Sequence, residues 1–236
     1  MDLPHSDALR DAVDATWPPA DVVTIPGWRL RVGAGGGKRV SSASAEGPPG
    51  DIAAAEAGMA ALNQPPLFRL EGAEHDLDAA LEARGYLLVD PVACLVGPTE
   101  RLQPPHRDRV LYCDAPLATH LELWEGAGIG PARRAVMDRV RGAKSHLLGR
   151  SGDRPAGTGF VAVSGPIAFL HALEVAPWAR RQGLGRDLTL GAALFARRAG
   201  ASHLAVLVER ANAPAAALYH GLGMVEAGGY HYRVHP

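Results

Sequence analysis

The segment Arg180-Arg181-Gln182-Gly183-Leu184-Gly185-Arg186 limits the fold of this chain more than any other. An apolar run, residues 167–175, leads into it, and an Ala/Leu-rich run, residues 188–199, leads out. That order reads as strand, short loop and helix, with two glycines in the first helical turn and arginines on both sides. The first N–H groups of a helix have no partner within it and sit at the positive end of its dipole. Gly183 and Gly185 remove side chains that would hold a ligand away from that backbone. Such a turn suits an anionic, phosphate-like group.

The chain has 236 residues, enough for one large domain or two small ones. Its net charge of −1 gives no electrostatic reason to expect nucleic acid or an anionic membrane as a partner. No apolar run approaches the roughly 20 residues of a membrane helix. The acidic start, MDLPHSDALRDAVD, lacks an apolar signal core, so a cytoplasmic location is expected. Cys94 and Cys113 lie in strand-like apolar stretches. Two cysteines are too few for a disulfide framework or a Cys-based zinc site, so both are expected to be reduced core thiols.

The polar, proline-bearing stretch 97–106 reads as a connection, and it divides the chain into 1–106 and 107–236. In the second part, residues 116–125 are a short entry element and 131–141 have apolar positions at helical spacing. Residues 145–149, 159–163 and 167–175 read as strands, the last two joined as a hairpin over Ser164-Gly165-Pro166. Residues 204–208 form a buried strand. Residues 213–220 form a short helix with Asn212 as N-cap and Pro214 in its first turn. A closing hairpin over Gly228-Gly229 is expected to join 224–227 to 230–234. In the first part, 28–32 and 39–43 read as strands around a glycine-rich turn, 52–62 as a helix, 67–70 as a strand and 77–84 as a helix. Residues 86–96 read as a strand broken by Pro91.

The two parts share a weak repeat. LFRLEGAEHDLDAALEARGY aligns with LAVLVERANAPAAALYHGLGM: strand, polar turn, then an Ala/Leu helix ending near glycine. The first copy has Glu82 where the second has Tyr219. It also offers SAEGPPGD where the second has the Arg-x-x-Gly-x-Gly loop.

In the second part three pieces follow in fixed order. They are LHALEV ending at Arg180-x-x-Gly183-x-Gly185, then Asn212-x-x-Ala215-x-x-Leu218-Tyr219, then Gly221-Leu222-Gly223-Met224. In this, residues 112–236 resemble the GNAT superfamily of acyl-coenzyme A-dependent acyltransferases, with Met224 where phenylalanine is usual. The first part resembles the degenerate N-terminal GNAT-like domain of tandem members. The resemblance implies an α/β (α+β) fold: a mixed central sheet flanked by helices, preceded by a smaller degenerate GNAT-like domain.

It further implies acetyl-CoA as donor, no metal, and a small-molecule or peptide amine as acceptor, in a monomer or homodimer. Backbone groups of Gln182, Gly183, Leu184, Gly185 and Arg186 would hold the coenzyme diphosphate, with Arg180, Arg181 or Arg186 adding charge-assisted bonds. The free backbone at Leu173 and Val175 would pair with the pantetheine arm. Asn212 would bond that arm or the splayed strand, besides capping its helix. Tyr219 matches the family's general acid. The base is open: Glu174 alternates to the opposite face from Leu173 and Val175, His171, His120 and His146 are alternatives, and bulk water would also serve. Transfer would be direct, without an acyl-enzyme. A CoA-binding module without turnover and an acyltransferase acting on a protein N-terminus or lysine are the competing readings.

Other motifs are weaker. Gly33 to Lys38 looks like a phosphate loop but lacks the flanking Gly and Ser/Thr, having Val32 and Arg39, and reads as a hairpin turn. His231 and His235 share a strand face without a carboxylate or cysteine pattern to complete a metal site. Trp124 and Trp178 fit either a pocket lining or core and rim packing.

Overall fold

The computed structural model describes residues 3–72, 74–106 and 108–235. The first part contains α1 (Ser6–Thr16), β1 (Asp21–Ile25), β2 (Trp28–Val32), β3 (Ala43–Ala45), α2 (Ile52–Ala61), β4 (Leu67–Glu71), α3 (His75–Ala83) and β5 (Leu87–Pro98). The second contains β6 (Val110–Cys113), α4 (Ala118–Gly126), α5 (Pro131–Asp138), β7 (Lys144–Ser151), β8 (Arg154–Ser164), β9 (Ile167–Val175), α6 (Leu184–Arg198), β10 (His203–Glu209), α7 (Ala213–His220) and β11 (Val225–Val234).

All the strands join one mixed sheet in the order β1-β2-β3-β4-β11-β5-β10-β9-β8-β7-β6. Apart from the extra edge strand β6, the order is symmetrical about the central antiparallel pair β11–β5. On one side β4 runs parallel to β3, and on the other β10 runs parallel to β9. The closing strand of each part has crossed over: β5 pairs with β10, and β11 pairs with β4. The sheet therefore runs unbroken across residue 106.

Packing follows strand alternation. Leu204, Val206, Ala168 and Leu170 point to α6 and its Leu184, Leu188 and Ala192. Leu30, Phe68 and Leu70 point to Ile52 and Met59 of α2 and Leu77 and Leu81 of α3. The opposite face carries α1 over Cys94, Phe169 and Ala205, and α4 and α5 over Phe160 and Ala162. Gly149 and Gly157 let α6 approach closely. A Cβ at Gly157 would stand 2.9 Å from Leu188 Cδ1 and one at Gly149 3.0 Å from Leu184 Cδ1. Each leucine so buried contributes about 2 kcal/mol.

Several sequence expectations change. No hairpin forms over Gly228-Gly229: β11 is one strand, with pairing irregularities between Glu226 and Gly228 and between Tyr230 and Tyr232. Both of its edges are occupied, by β4 and β5, so there is no second arm to turn back. Pro91 does not break β5. Asp90, at φ 46°, takes up the local distortion, and the Pro91 carbonyl still accepts from Arg210 N. Residues 39–43 are not a strand: Lys38–Val40 is a 3-10 turn and the strand begins at Ala43. Helix α1 and strand β1 had no clear signal in the sequence. Cys94 is a buried thiol whose pKa burial pushes up to about 12, and Cys113 is also free.

Candidate active site

Strands β9 and β10 pair only from Ile167↔His203 to Leu170↔Val206, after which both continue, β9 to Val175 and β10 to Glu209. The last part of β9 thus leaves its neighbour and keeps only β8, against which it pairs to Gly157↔Val175. Ala176 N donates to Ala156 O on the β8 side. Backbone direction alternates along a strand, so Val175 turns its N–H and C=O into the gap. The Val175 carbonyl is already taken there, accepting from Arg180 Nε at 3.0 Å.

A bulge at Ala172 sets which side chains face which way. Ala172 has φ 48°, and the β8–β9 register shifts between Thr158↔Glu174 and Phe160↔His171. One extra residue inverts the alternation beyond it. Leu173 and Val175 therefore pack toward α6 and α7, and Glu174 falls on the face of α4 and α5. Trp124, fully buried on α4, holds the bulge by donating its indole N–H to the Ala172 carbonyl at 2.9 Å. This decides its reading: Trp124 is core, and it positions the strand. Trp178 is a rim residue, 48% exposed, with the Arg154 guanidinium 4.5 Å from its ring.

The loop after β9 is a cradle of free donors. None of the N–H groups of Arg181, Gln182, Gly183, Leu184, Gly185 or Arg186 has an acceptor among the described residues; the next N–H, of Asp187, donates to Gly183 O. Gly183 is the N-cap of α6 at φ 81°, where an L side chain would be strained, and it makes no side-chain cap bond. A Cβ at Gly185 would meet Leu218 Cδ2 at 3.4 Å and Val175 Cγ2 at 3.9 Å, so this glycine also lets α6 lie close to α7 and β9. Arg181 and Arg186 are exposed and form no ion pair among the described residues, whereas Arg180 is tied to Val175. The Gln182 side chain braces the loop: Nε2 donates to Trp178 O at 3.1 Å, and Oε1 accepts from Ser151 Oγ at 3.1 Å.

Arg109 is a brace that had no signature in the sequence, lying 78 positions from its partner Asp187 in a polar stretch. Its Nη1 stands 2.7 Å from buried Asp187 on the first turn of α6. It cancels a carboxylate that would otherwise repel an anion at the helix start.

Tyr219 is 6% exposed at the end of α7, and its hydroxyl has no hydrogen-bond partner among the described residues. Burial, with a smaller contribution from the charge of Glu174, raises its pKa. Burial also raises the pKa of Glu174, against the lowering influence of Arg180 and Arg133. The charge of Glu174 thus reaches Tyr219. Asn212 caps α7: its Oδ1 accepts from Ala215 N at 3.1 Å.

The three histidines are poor bases. His171 is buried with Nε2 3.0 Å from Thr16 Oγ1, and burial plus the neighbouring Arg39 charge hold its pKa well below the ordinary value. Burial lowers His120 to about 4 and lowers His146 as well. The glycine-rich turn Gly33 to Lys38 packs on α5: Cβ atoms placed at Gly35 and Gly37 would lie 3.1 Å from Ala132 and 3.6 Å from Arg133 Nε. His231 pairs with Asp78, and no cluster of His, Cys, Asp or Glu fit for a metal occurs among the described residues.

The sequence profile of the acetyltransferase (GNAT) family matches residues 115–224. The chain carries a GNAT domain. A streptothricin acetyltransferase of Streptomyces lavendulae is 40% identical over 85 residues, which is 34% of this chain and 43% of that protein. The match thus spans less than half of that relative's length. A solved GCN5-related N-acetyltransferase from Kribbella flavida superposes with a TM-score of 0.74 at 18% identity, over 100% of this chain and 97% of the other. A tandem GNAT protein of the clavulanic acid biosynthesis pathway gives 0.58 at 15% identity, over 87% and 76%. At these identities the two structures establish a shared fold. No helix among the described residues is long and apolar enough to cross a membrane.

Proposed function

We propose that this GNAT protein is an acetyl-CoA-dependent N-acetyltransferase that transfers directly to a primary amine on a small molecule. The carrying observation is the run of six unpartnered N–H groups, 181–186, beside a β9 that has left β10. Two adjacent phosphates need several convergent donors and no intruding Cβ, and this loop offers both. Backbone groups of Gln182 to Arg186 would hold the diphosphate, with Arg181 and Arg186 adding charge. Leu173 and the Val175 N–H would hold the pantetheine arm in the splay. Asn212 would face that arm from its cap.

Bound there, acetyl-CoA supplies an activated thioester. The protein's own groups then manage two protons. Glu174, with its raised pKa, accepts one from the incoming ammonium, directly or through water. Tyr219 stays protonated in its buried site, donates to the departing sulfur, and regains a proton from the nitrogen of the collapsing intermediate, which sheds its second proton to become the amide. The amine would approach from the face of α4 and α5, where the charge of Arg133 reaches Glu174. The partial match to a streptothricin acetyltransferase supports a small-molecule acceptor over a protein one.

Residues 1–106 fit a degenerate GNAT-like half, because β3-α2-β4-α3-β5 repeats the order β9-α6-β10-α7-β11 and the closing strands exchange symmetrically.

Thiol release from acetyl-CoA over a panel of amines tests the reading. Turnover with at least one small amine, lost in Tyr219→Phe, supports it. Acetyl-CoA binding without release for any amine would instead favour a regulatory module. Label from acetyl-CoA transferred only to macromolecules of a lysate would favour a protein acetyltransferase.

A further inference from the structure

A cavity of about 840 Å³ lies between the start of α1 and the sheet, lined by residues of both parts. It borders Ser44 of β3 and Arg69 of β4, the two parallel strands that correspond by order to β9 and β10. Its apolar wall is Leu9 and Val13 of α1 with Cys94, Leu207 and Ala227. This volume lies within the usual range of small-molecule sites, about 300–1,000 Å³.

Arg69, on the polar wall, belongs to a buried cluster behind it. Asp14 of α1 is bound by Arg31 Nη2 at 2.7 Å and Arg69 Nη1 at 3.3 Å, and it also feels the charges of Arg29 and Arg39. Arg31 is satisfied: its remaining nitrogen, Nη1, donates to Ser44 Oγ at 2.9 Å. Arg69 is not. Its side chain is 1% exposed, and its Nε and Nη2 lack any hydrogen-bond partner among the described residues. Glu71 stands 3.7 Å from Nη2, within ion-pair reach but too far for a hydrogen bond. Asp7, Glu74 and Glu226 also line the cavity, but Asp7 pairs with Arg10, Glu226 with Arg210, and Glu74 accepts from Glu71 N, so the unmatched group is the Nε/Nη2 edge of Arg69. A buried charged group with unmet donors is costly, and the Nε/Nη2 edge of arginine matches the two oxygens of a carboxylate. Glu71 and Arg10, 30% and 40% exposed and 4.0 Å apart, are the side chains free to turn aside at that wall.

We propose that this cavity binds a small carboxylic acid with an apolar body, its carboxylate on Arg69 and its body against Leu9, Val13 and Leu207. The site is separate from the coenzyme loop and uses none of its residues. It gives α1, β3 and β4 of the first half a share in a binding site, although that half lacks a phosphate loop.

The probe is 6-bromo-2-naphthoate, compared with the alcohol of the same skeleton, on the full chain by titration calorimetry and by anomalous diffraction from bromine. The expected result is saturable binding at least 10-fold tighter for the acid, with bromine inside the cavity. Arg69→Gln should abolish it. Because Arg69 also holds Asp14, Gly72→Phe is the second variant: a Cβ at Gly72 meets nothing within 4 Å, and the ring would fill the cavity mouth. It should weaken the acid at least 10-fold while coenzyme A affinity stays unchanged. Equal affinity for the alcohol, no binding of the acid, bromine elsewhere, or competition with coenzyme A would each overturn the proposal.

Discussion

Helices α2 and α6 occupy equivalent places in the two halves, yet their first turns are finished in opposite ways. α2 is capped from within: the Asp51 carboxylate accepts from Ala53 N at 3.1 Å. α6 begins at Gly183, with no side chain to cap it and six N–H groups left open. A carboxylate cap satisfies the helix and repels a further anion, whereas a glycine cap leaves both the donors and the dipole for a ligand. The same contrast recurs at the second helix of each half. Glu82 on α3 is an exposed partner of Arg233 at 3.3 Å, while Tyr219 on α7 is buried beside the splay. One fold thus carries a self-sufficient half and a half that needs a ligand to complete it.

The largest test gives α6 the closed cap of α2. Gly183→Asp should weaken coenzyme A binding about 10³-fold, roughly 4 kcal/mol. The nearest atom to a new Cβ there is Arg109 Nη1 at 4.0 Å, so the cost is confined to the left-handed backbone, about 1 kcal/mol for an aspartate, and the chain should remain folded. Unchanged affinity by calorimetry would remove the loop assignment, and with it the contrast between the caps. Next, Tyr219→Phe should lower kcat about 10³-fold with little change in KM for acetyl-CoA, while Glu82→Gln leaves turnover intact. Equal effects of the two would show that the halves are not divided in this way.

Glu174→Gln should lower kcat about 10²-fold. The ionised form is the base, so wild-type rate should fall as pH drops through the raised pKa of Glu174, and this acidic limb should flatten in the variant. The sign for stability is opposite. The folded state favours the protonated acid, so ionisation as pH rises costs stability, and the Gln variant should melt no lower than wild type at neutral pH. A variant with an unaltered pH profile would assign the base elsewhere. The smallest effect is expected for Asp51→Ala: about 1 kcal/mol of stability and no loss of activity, measured by denaturant unfolding and turnover.

The second half was legible because its signals are local. The strand–loop–helix around Gly183, the Asn212 cap and the short helix ending at Tyr219 each rest on residues within one or two turns, and all three elements form as read. The first half was less legible. Its β3 has three residues, its 3-10 turn at Lys38–Val40 carried the apolar spacing of a strand, and α1 draws its fixed position from Asp14 bonding to Arg31 and Arg69, far along the chain. The closing hairpin failed for a related reason. Gly228-Gly229 is a sound turn signal, but the strand is claimed on both sides by β4 and β5, and inter-strand pairing outweighs a two-residue preference.

By itself the sequence determined that an uncapped, glycine-led helix follows a strand, and that Glu174 opposes Leu173 and Val175. Both follow from chemistry within a few residues. Only the tertiary structure decided which face Glu174 takes, since that depends on one bulged residue, Ala172, held by Trp124 from 48 positions away. It alone also decided that β5 and β11 change places and that Arg69 is buried with two donors unmet beside a cavity. Alternation along a strand is fixed by covalent geometry, but its phase and its neighbours are set by contacts that form only when distant segments meet.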